Sequence, residues 1–589
     1  MYNYNMNLLK TKVVMVHAPD PVFTIIADFG NRFMPVWSYT LAAMIDKSSL
    51  NVEVSLLDTR VNNDINSIEG KIFLYSGINQ DLQRILEVSS TLKGNNPGSI
   101  HIIGGPICWS YDKANELHLL DSFDYIFIGD GEAEINELLK LAIDKVSNIE
   151  NSIVDNKVIR AKGRFDLNKA LLMDRDLVLK YLDNYYGAVI EISRGCPFLC
   201  EFCDIRILND NNRSHNKNIA LIIEELDFFY KQGIRQVILA CDNMIGDHKW
   251  AEELVDAILK WRDESGGNVV FYTWVTLTIS RFDGLMKKMR LAGFDLLFIG
   301  VESFSNNSLL ETAKLQNISS LGMVETIKSI QSYGFIVVAG MIIGFDSDSL
   351  DVFDETTNGL LQSGILSGDP GMLYALPGTP LFYRMKLANR LRPVSESSGS
   401  RQKLHTNMIY ILPSKLLKKG WVDLSKKLTM GNYNYLRLKN YLDNLNTGNY
   451  IKLDSPGFGN IFLFIKLVLE SRAGRSQLFK RVINLLKFQN IFYIFKAYYL
   501  CFSRRRLLPD YFRYFSFWLF SWSSAIVRYK GIRESDIDII SLDRDILLED
   551  VLPKGYDDLN NEEIEHSKTL AQRRSTIKSL QNIFYKPID

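Results

Sequence analysis

The stretch Ala188-Val189-Ile190-Glu191-Ile192-Ser193-Arg194-Gly195-Cys196-Pro197-Phe198-Leu199-Cys200-Glu201-Phe202-Cys203 runs from a short apolar segment into three cysteines spaced CxxxCxxC. Its first six residues read as a buried strand, so the cysteines leave the carboxyl end of that strand on a loop. Three thiolates can hold a cubane iron–sulfur cluster by three of its four irons, leaving the fourth open to another ligand. The competing reading is a structural zinc site, which wants four closed ligands. The fourth would have to be His215 or the distant Cys241. Downstream, apolar runs at 236–240, 269–272, 296–301, 335–340 and 371–376 alternate with helix-length segments. Together with the first run they predict six parallel βα strands closing into a partial (β/α)6 barrel. Active sites of such barrels gather at the carboxyl ends of the strands, where this loop would sit.

At this spacing the sequence closely resembles the radical S-adenosylmethionine (SAM) superfamily. The resemblance implies that Cys196, Cys200 and Cys203 hold a [4Fe-4S] cluster whose open iron chelates SAM, and that Phe202 lies beside the adenine. Gly340-Met341-Ile342-Ile343-Gly344-Phe345-Asp346 resembles the family's GxIxGxxE motif, with Asp346 standing for the usual Glu. Gly340, Ile342 and Gly344 are therefore expected against the adenine. Glu302-Ser303 after the fourth strand and Asp242-Asn243 after the second are expected to meet the ribose or amino-acid part of SAM. Each pair reads equally well as a turn or cap at a strand end.

In the amino-terminal third, apolar runs at 13–16, 52–58, 71–77, 101–105 and 124–129 alternate with helical segments. They predict a Rossmann-like, doubly wound parallel sheet that binds its ligand outside the carboxyl ends of its strands. Gly77, Gly104, Gly105, Gly129 and Gly131 fall at those ends, where a backbone without side chains permits close approach. The order resembles the cobalamin-binding domain carried by one branch of radical SAM enzymes. Ile103-Gly104-Gly105-Pro106 and Ile128-Gly129-Asp130-Gly131-Glu132-Ala133-Glu134 look like its GGP and GExE segments, which implies that these glycines and Glu132 meet cobalamin. No Asp-x-His-x-x-Gly motif is present, so no histidine ligand to cobalt is expected; His17 and His101 read as packing or strand-end residues. A Rossmann-like domain that no longer binds a corrinoid is the alternative, since fold alone does not fix function.

A chain of 589 residues exceeds what one core supports. The expected division is an α/β cobalamin-binding domain at 1–145, a linker at 146–185, a radical SAM barrel at 186–395 and a mainly helical extension at 396–589. Segments 375–382 and 405–408 resemble the start of the extension in the subset that includes the hopanoid C2 methylase. The 68 basic residues match the 68 acidic ones, which argues against a nucleic-acid binder. Cys108, Cys241 and Cys501 are isolated and form no disulfide framework, so a reduced, cytoplasmic chain is expected. The first ten residues do not look like a signal peptide, and no apolar run reaches the roughly 20 residues that span a bilayer. Residues 485–530 are aromatic and basic. They predict either an amphipathic helix lying at the inner face of a membrane or a helical subdomain packed over the barrel mouth.

The resemblance as a whole implies an enzyme with three cofactors: a [4Fe-4S] cluster, SAM and cobalamin. Such enzymes cleave SAM to a 5′-deoxyadenosyl radical, and the methylases among them then deliver a methyl group to an unactivated carbon of a small-molecule or lipid substrate. A reducing partner such as flavodoxin or ferredoxin is implied. Two alternatives stay open: an oxidative cyclase or ring-rearranging enzyme with the same cofactors, and a non-catalytic iron–sulfur sensor or corrinoid carrier.

Overall fold

The computed structural model describes residues 10–542 apart from 21–31, 63, 148–156, 209, 350, 393–404, 446–447, 455–465 and 470–471. Six parallel strands open the chain: β1 (Thr11–His17), β2 (Val52–Asp58), β3 (Ile72–Ser76), β4 (Ile100–Gly104), β5 (Tyr125–Ile128) and β6 (Val158–Arg160). They lie in the order β2-β1-β3-β4-β5-β6. Their residues alternate between two cores: Val13, Met15, Ile72 and Leu74 face one, Val14, Val16, Phe73 and Tyr75 the other. Burial on both faces is why these strands read as unbroken apolar runs. The order reverses between β1 and β3, which marks the ligand crevice of a doubly wound sheet.

The segment read as a linker is partly built into this sheet, because β6 lies inside it and pairs with β5 through Ile126 and Val158. Further on, the helix Arg175–Tyr181 is capped by Asp174, whose carboxylate accepts from Leu177 N. Its Leu177 and Val178 join the core shared by the two modules. His101 is a packing residue as expected: fully buried, stacked on Phe73 and hydrogen-bonded to the Tyr75 hydroxyl at 2.9 Å. His17, at the end of β1, accepts from Trp37 Nε1 at 3.4 Å.

The second sheet holds six parallel strands: β7 (Ala188–Glu191), β10 (Gln236–Ala240), β11 (Val270–Val275), β12 (Phe294–Glu302), β13 (Ile336–Ile343) and β14 (Ser367–Met372). They lie in the order β14-β13-β12-β11-β10-β7. Sequence order equals spatial order and no ladder joins β14 to β7, so this is the expected partial barrel, open on one side. A short antiparallel pair, β8 (Ser193–Arg194) with β9 (His215–Asn216), brackets the cysteine loop.

The helices of 485–530 pack at the amino ends of the barrel strands, so of their two readings the one that seats them over the barrel mouth does not hold. The Tyr514 hydroxyl donates to Gly334 O at 3.2 Å and the Tyr441 hydroxyl to Phe335 O at 3.1 Å, both just before β13 begins. Arg290, fully buried, pairs with Asp295 at the start of β12 and with Asp510 of the extension. Tyr514, Trp518, Trp522 and Ile526 of the helix Tyr511–Tyr529 fill the core there. The physical cause is that apolar Ile336 and Leu366 sit at the amino ends of their strands, and the aromatic helix covers them. The barrel mouth is covered instead by the amino-terminal module: a side chain at Gly378 would press on Lys113, and the Tyr383 hydroxyl donates to the Lys113 carbonyl.

Candidate functional site

The cysteine loop begins at Gly195, whose φ of +93° is a region open to glycine. A Cβ there would overlap the Arg213 carbonyl oxygen. The loop is held from three sides. Gly195 N donates to Asp242 Oδ2 at 2.6 Å, at the end of β10. Cys196 N donates to Asn211 O at 3.0 Å and Glu201 N to Thr312 O at 2.9 Å. Arg384 then grips the Glu201 carboxylate at 2.8 Å while also binding Asp346 at 2.7 Å and Glu311 at 2.9 Å. Asp346, which stands for the acid of the strand-five motif, is committed to Arg384 and Arg390, and these guanidinium groups outweigh burial to hold its carboxyl below the usual range.

Cys196, Cys200 and Cys203 are free thiols. Burial pushes the Cys196 and Cys203 thiols up, so each needs a nearby cation to ionise. Among the described residues no three His, Cys, Asp or Glu side chains converge where one metal ion could sit. A cubane takes one thiolate at each of three irons, and three cysteines carried on one short loop are the donor set it needs. Cys200 also accepts from Gln316 Nε2 at 3.2 Å. Lys314 lies near the same thiols, its ammonium 5.7 Å from the centre of the Phe202 ring.

The expected SAM contacts divide. Glu302, at a φ of +63°, forms a buried ion pair with Lys314 at 2.9 Å, and Ser303 Oγ accepts from Ser305 N at 3.1 Å, closing a turn. Asn243 is buried with both its amide oxygen and nitrogen unpartnered, close to Gly246, at which a Cβ would lie 3.2 Å from Pro197 of the cysteine loop. Gly340 packs under Phe298, and Gly344, at φ +110°, lies under the Tyr410 ring. Phe202 meets Phe345 at 6.1 Å between ring centres, and Ile342 on β13 is half-buried.

Sequence reasoning passed over Asp348, whose carboxylate accepts from Gly344 N at 2.8 Å, Phe345 N at 3.1 Å and Ser308 Oγ at 2.6 Å. Burial pushes its pKa up to about 6. A carboxyl raised above its unfolded value of about 3.9 stabilises the fold fully below that value and loses the contribution as pH rises through about 6. In Asp348→Asn the fall of unfolding free energy between about pH 4 and about pH 6 should flatten by up to about 1.4 kcal/mol per pH unit. Urea unfolding at a series of pH values checks this, and unchanged slopes would refute it.

A cavity of about 560 Å³ lies between the modules. Ser76, Gly104, Gly105, Gly129, Gly131 and Glu132 line it from the strand ends of the first sheet; Arg194, Cys241, Asp242 and Trp274 line it from the barrel. Gly77 lies behind it, where a side chain would press on Ile85. Burial pushes Asp242 up to about 6, with Asp204 and Glu191 adding to the rise and the Gly195 amide opposing it. Arg194 crosses the seam, bonding Asp130 at 3.2 Å, Glu132, and Glu191 at 2.8 Å.

These features define a class: residues 190–358 match the model of the Radical SAM superfamily, and the chain carries a radical SAM domain. An uncharacterized methyltransferase of Synechocystis sp. is 28% identical over 421 residues, covering 71% of this chain and 73% of that protein. The hopanoid C-2 methylase of Rhodopseudomonas palustris is 30% identical over 304 residues, covering 51% of this chain. The chain spans about half, 55%, of that methylase's length. The structure of OxsB, a cobalamin-dependent SAM radical enzyme with aqua-cobalamin and SAM bound, shares the fold with a TM-score of 0.53 at 14% identity. That likeness covers 94% of this chain and 84% of OxsB.

Proposed function

We propose that this chain is a cobalamin-dependent radical SAM methyltransferase acting on an unactivated carbon of a small-molecule or lipid substrate. The observation that carries the reading is the cavity at the seam, where glycine-rich strand ends face the root of the cysteine loop. Two of the relatives, an uncharacterized methyltransferase and a C-2 methylase, support it. When bound, the cluster supplies an electron for cleaving SAM and cobalamin a carrier for methyl. The chain's own residues hold and enclose. Cys196, Cys200 and Cys203 supply the thiolates, with the Gln316 amide turned onto Cys200. The unpartnered Asn243 amide offers both a donor and an acceptor beside the loop, as a zwitterionic amino-acid group requires. Gly104, Gly105 and Gly129 leave room for a large flat ligand, and Trp37, Trp109 and Trp274 wall the cavity against water. Electrons would come from a flavodoxin- or ferredoxin-like partner.

The test is anaerobic reconstitution with iron, sulfide and hydroxocobalamin, followed by gel filtration and incubation with SAM and a reductant. The expected result is retained corrinoid together with 5′-deoxyadenosine. Corrinoid loss on the column would remove cobalamin from the reading. Absence of 5′-deoxyadenosine in cluster-loaded protein would favour a sensor or carrier.

A further inference from the structure

The helix Phe488–Ser503 keeps an apolar face turned away from the protein. Its inward side is settled: Ala497 and Cys501 are fully buried in the core formed with the helices Gly431–Asn444 and Tyr511–Tyr529. Yet Phe488, Phe492, Phe495, Tyr499 and Phe502, at steps of four and three residues, are exposed, Phe488 to 89% and Tyr499 to 72%. That spacing puts them in one stripe about 21 Å long. The preceding helix, Arg472–Leu485, does the same with exposed Phe479, Val482 and Ile483, and exposed Leu486 joins the two. Its inward side is also settled, because the buried Arg481 donates to Ser523 and Ser524 of the helix Tyr511–Tyr529. Large aromatics left in water over two successive helices call for an occupant.

Charge identifies that occupant. Residues 471–509 contain nine Lys or Arg and no Asp or Glu, in a chain whose net charge is zero. Lys480, Lys487, Lys496, Arg505 and Arg506 are exposed among the aromatic side chains. Among the described residues no helix is long and apolar enough to cross a membrane. An apolar stripe flanked only by cations, too short to span, matches the interface of a bilayer carrying anionic lipid.

We infer that the outward face of these two helices docks the protein onto an anionic membrane surface. The face belongs to the end of the molecule that packs on the amino ends of the barrel strands, so it anchors the protein without blocking the seam cavity. The inference stands independently of the proposed methyl transfer.

Flotation of the full chain with phosphatidylcholine vesicles, and with vesicles of equal parts phosphatidylcholine and phosphatidylglycerol, tests it. The anionic vesicles should capture at least about ten times more protein, and capture should fall when salt is raised from about 0.1 to about 0.5 M. Phe492→Glu/Phe495→Glu should lose the capture with the same thermal midpoint, because both side chains are exposed. Arg505→Glu/Arg506→Glu, which leaves the aromatic stripe whole, should lose the preference for anionic lipid. Equal capture by both vesicle types, no capture by either, or unaltered capture by both variants would overturn the inference. So would a dimer seen by sedimentation velocity that dissociates in Phe492→Glu/Phe495→Glu while vesicles capture nothing, since a second copy would then be the occupant.

Discussion

Cys200→Ala is expected to yield a folded protein that takes up no stable iron–sulfur chromophore and forms 5′-deoxyadenosine only at background, while Cys241→Ala takes up the chromophore as the parent does. Cys241 lies within electrostatic reach of Cys196 on the same loop as Cys200, so proximity does not separate the two; their surroundings do. Cys200 is buried on the loop with Cys196 and Cys203, accepts from the Gln316 amide and has Lys314 near it, so donors are gathered around its sulfur. Cys241 follows β10 and lies 3.5 Å from the Thr273 hydroxyl, and burial pushes its thiol up to about 12. A thiol so disposed stays protonated and inert. Removing one buried sulfur costs about 1 kcal/mol in packing, too little to unfold the chain, so far-ultraviolet circular dichroism should be the same for both variants. Iron analysis and anaerobic absorbance then decide the matter. An iron content in Cys200→Ala equal to the parent's would remove this residue from the ligand set.

The strands were legible because of how they are buried. β2 and β10 match the apolar runs at 52–58 and 236–240 residue for residue, since each is packed on one or both faces and needs Val, Ile or Leu at most positions. β6 escaped notice because Val158-Ile159-Arg160 is three residues long, lies at the sheet edge and is only half-buried, so it carries no run to detect. The chemistry at the strand ends was legible by residue type and illegible by pairing. Glu302 and Asp346 are acids where acids belong, yet Lys314 and the pair Arg384 and Arg390 claim them. No local pattern announces a partner 38 or 44 residues away. The seat of the carboxyl-terminal helices depends on contacts such as Arg290 with Asp510 and Tyr514 with Gly334, across 180 residues or more. Propensity and periodicity describe a helix and its faces; which end of a barrel it covers is settled by such distant matches.

The seam between the modules supplies the second large effect. Arg194 sits at the base of the cysteine loop and is the cation shared by Glu191, Asp130 and Glu132, two of which belong to the amino-terminal module. Arg164 pairs with Asp130 at 2.9 Å and acts through space on Glu191 and Glu132. In Arg194→Leu the part-buried Glu191 and Glu132 lose their hydrogen-bonded counterion, and the cost of about 3–5 kcal/mol for removing one partner of a fully buried pair is the upper bound. The loss has a pH signature. Burial acts to raise Glu191, and Arg194, helped by Lys217 and Arg164, outweighs it, leaving the carboxyl below its ordinary range. A depressed carboxyl stabilises the fold above its unfolded pKa of about 4.3 and loses that contribution as pH falls through the folded value. The parent should therefore exceed Arg194→Leu by the full margin above about pH 5, and the gap should close on acidification as the orphaned carboxylates take up protons. Arg194→Lys should fall between, since one ammonium cannot reach three carboxylates with the reach of a guanidinium fork. Because Arg194 and Glu132 both line the seam cavity, Arg194→Leu should also retain less corrinoid than Arg194→Lys on the same column. Equal stability of parent and Arg194→Leu at neutral pH would mean that the modules are held by their shared apolar core alone.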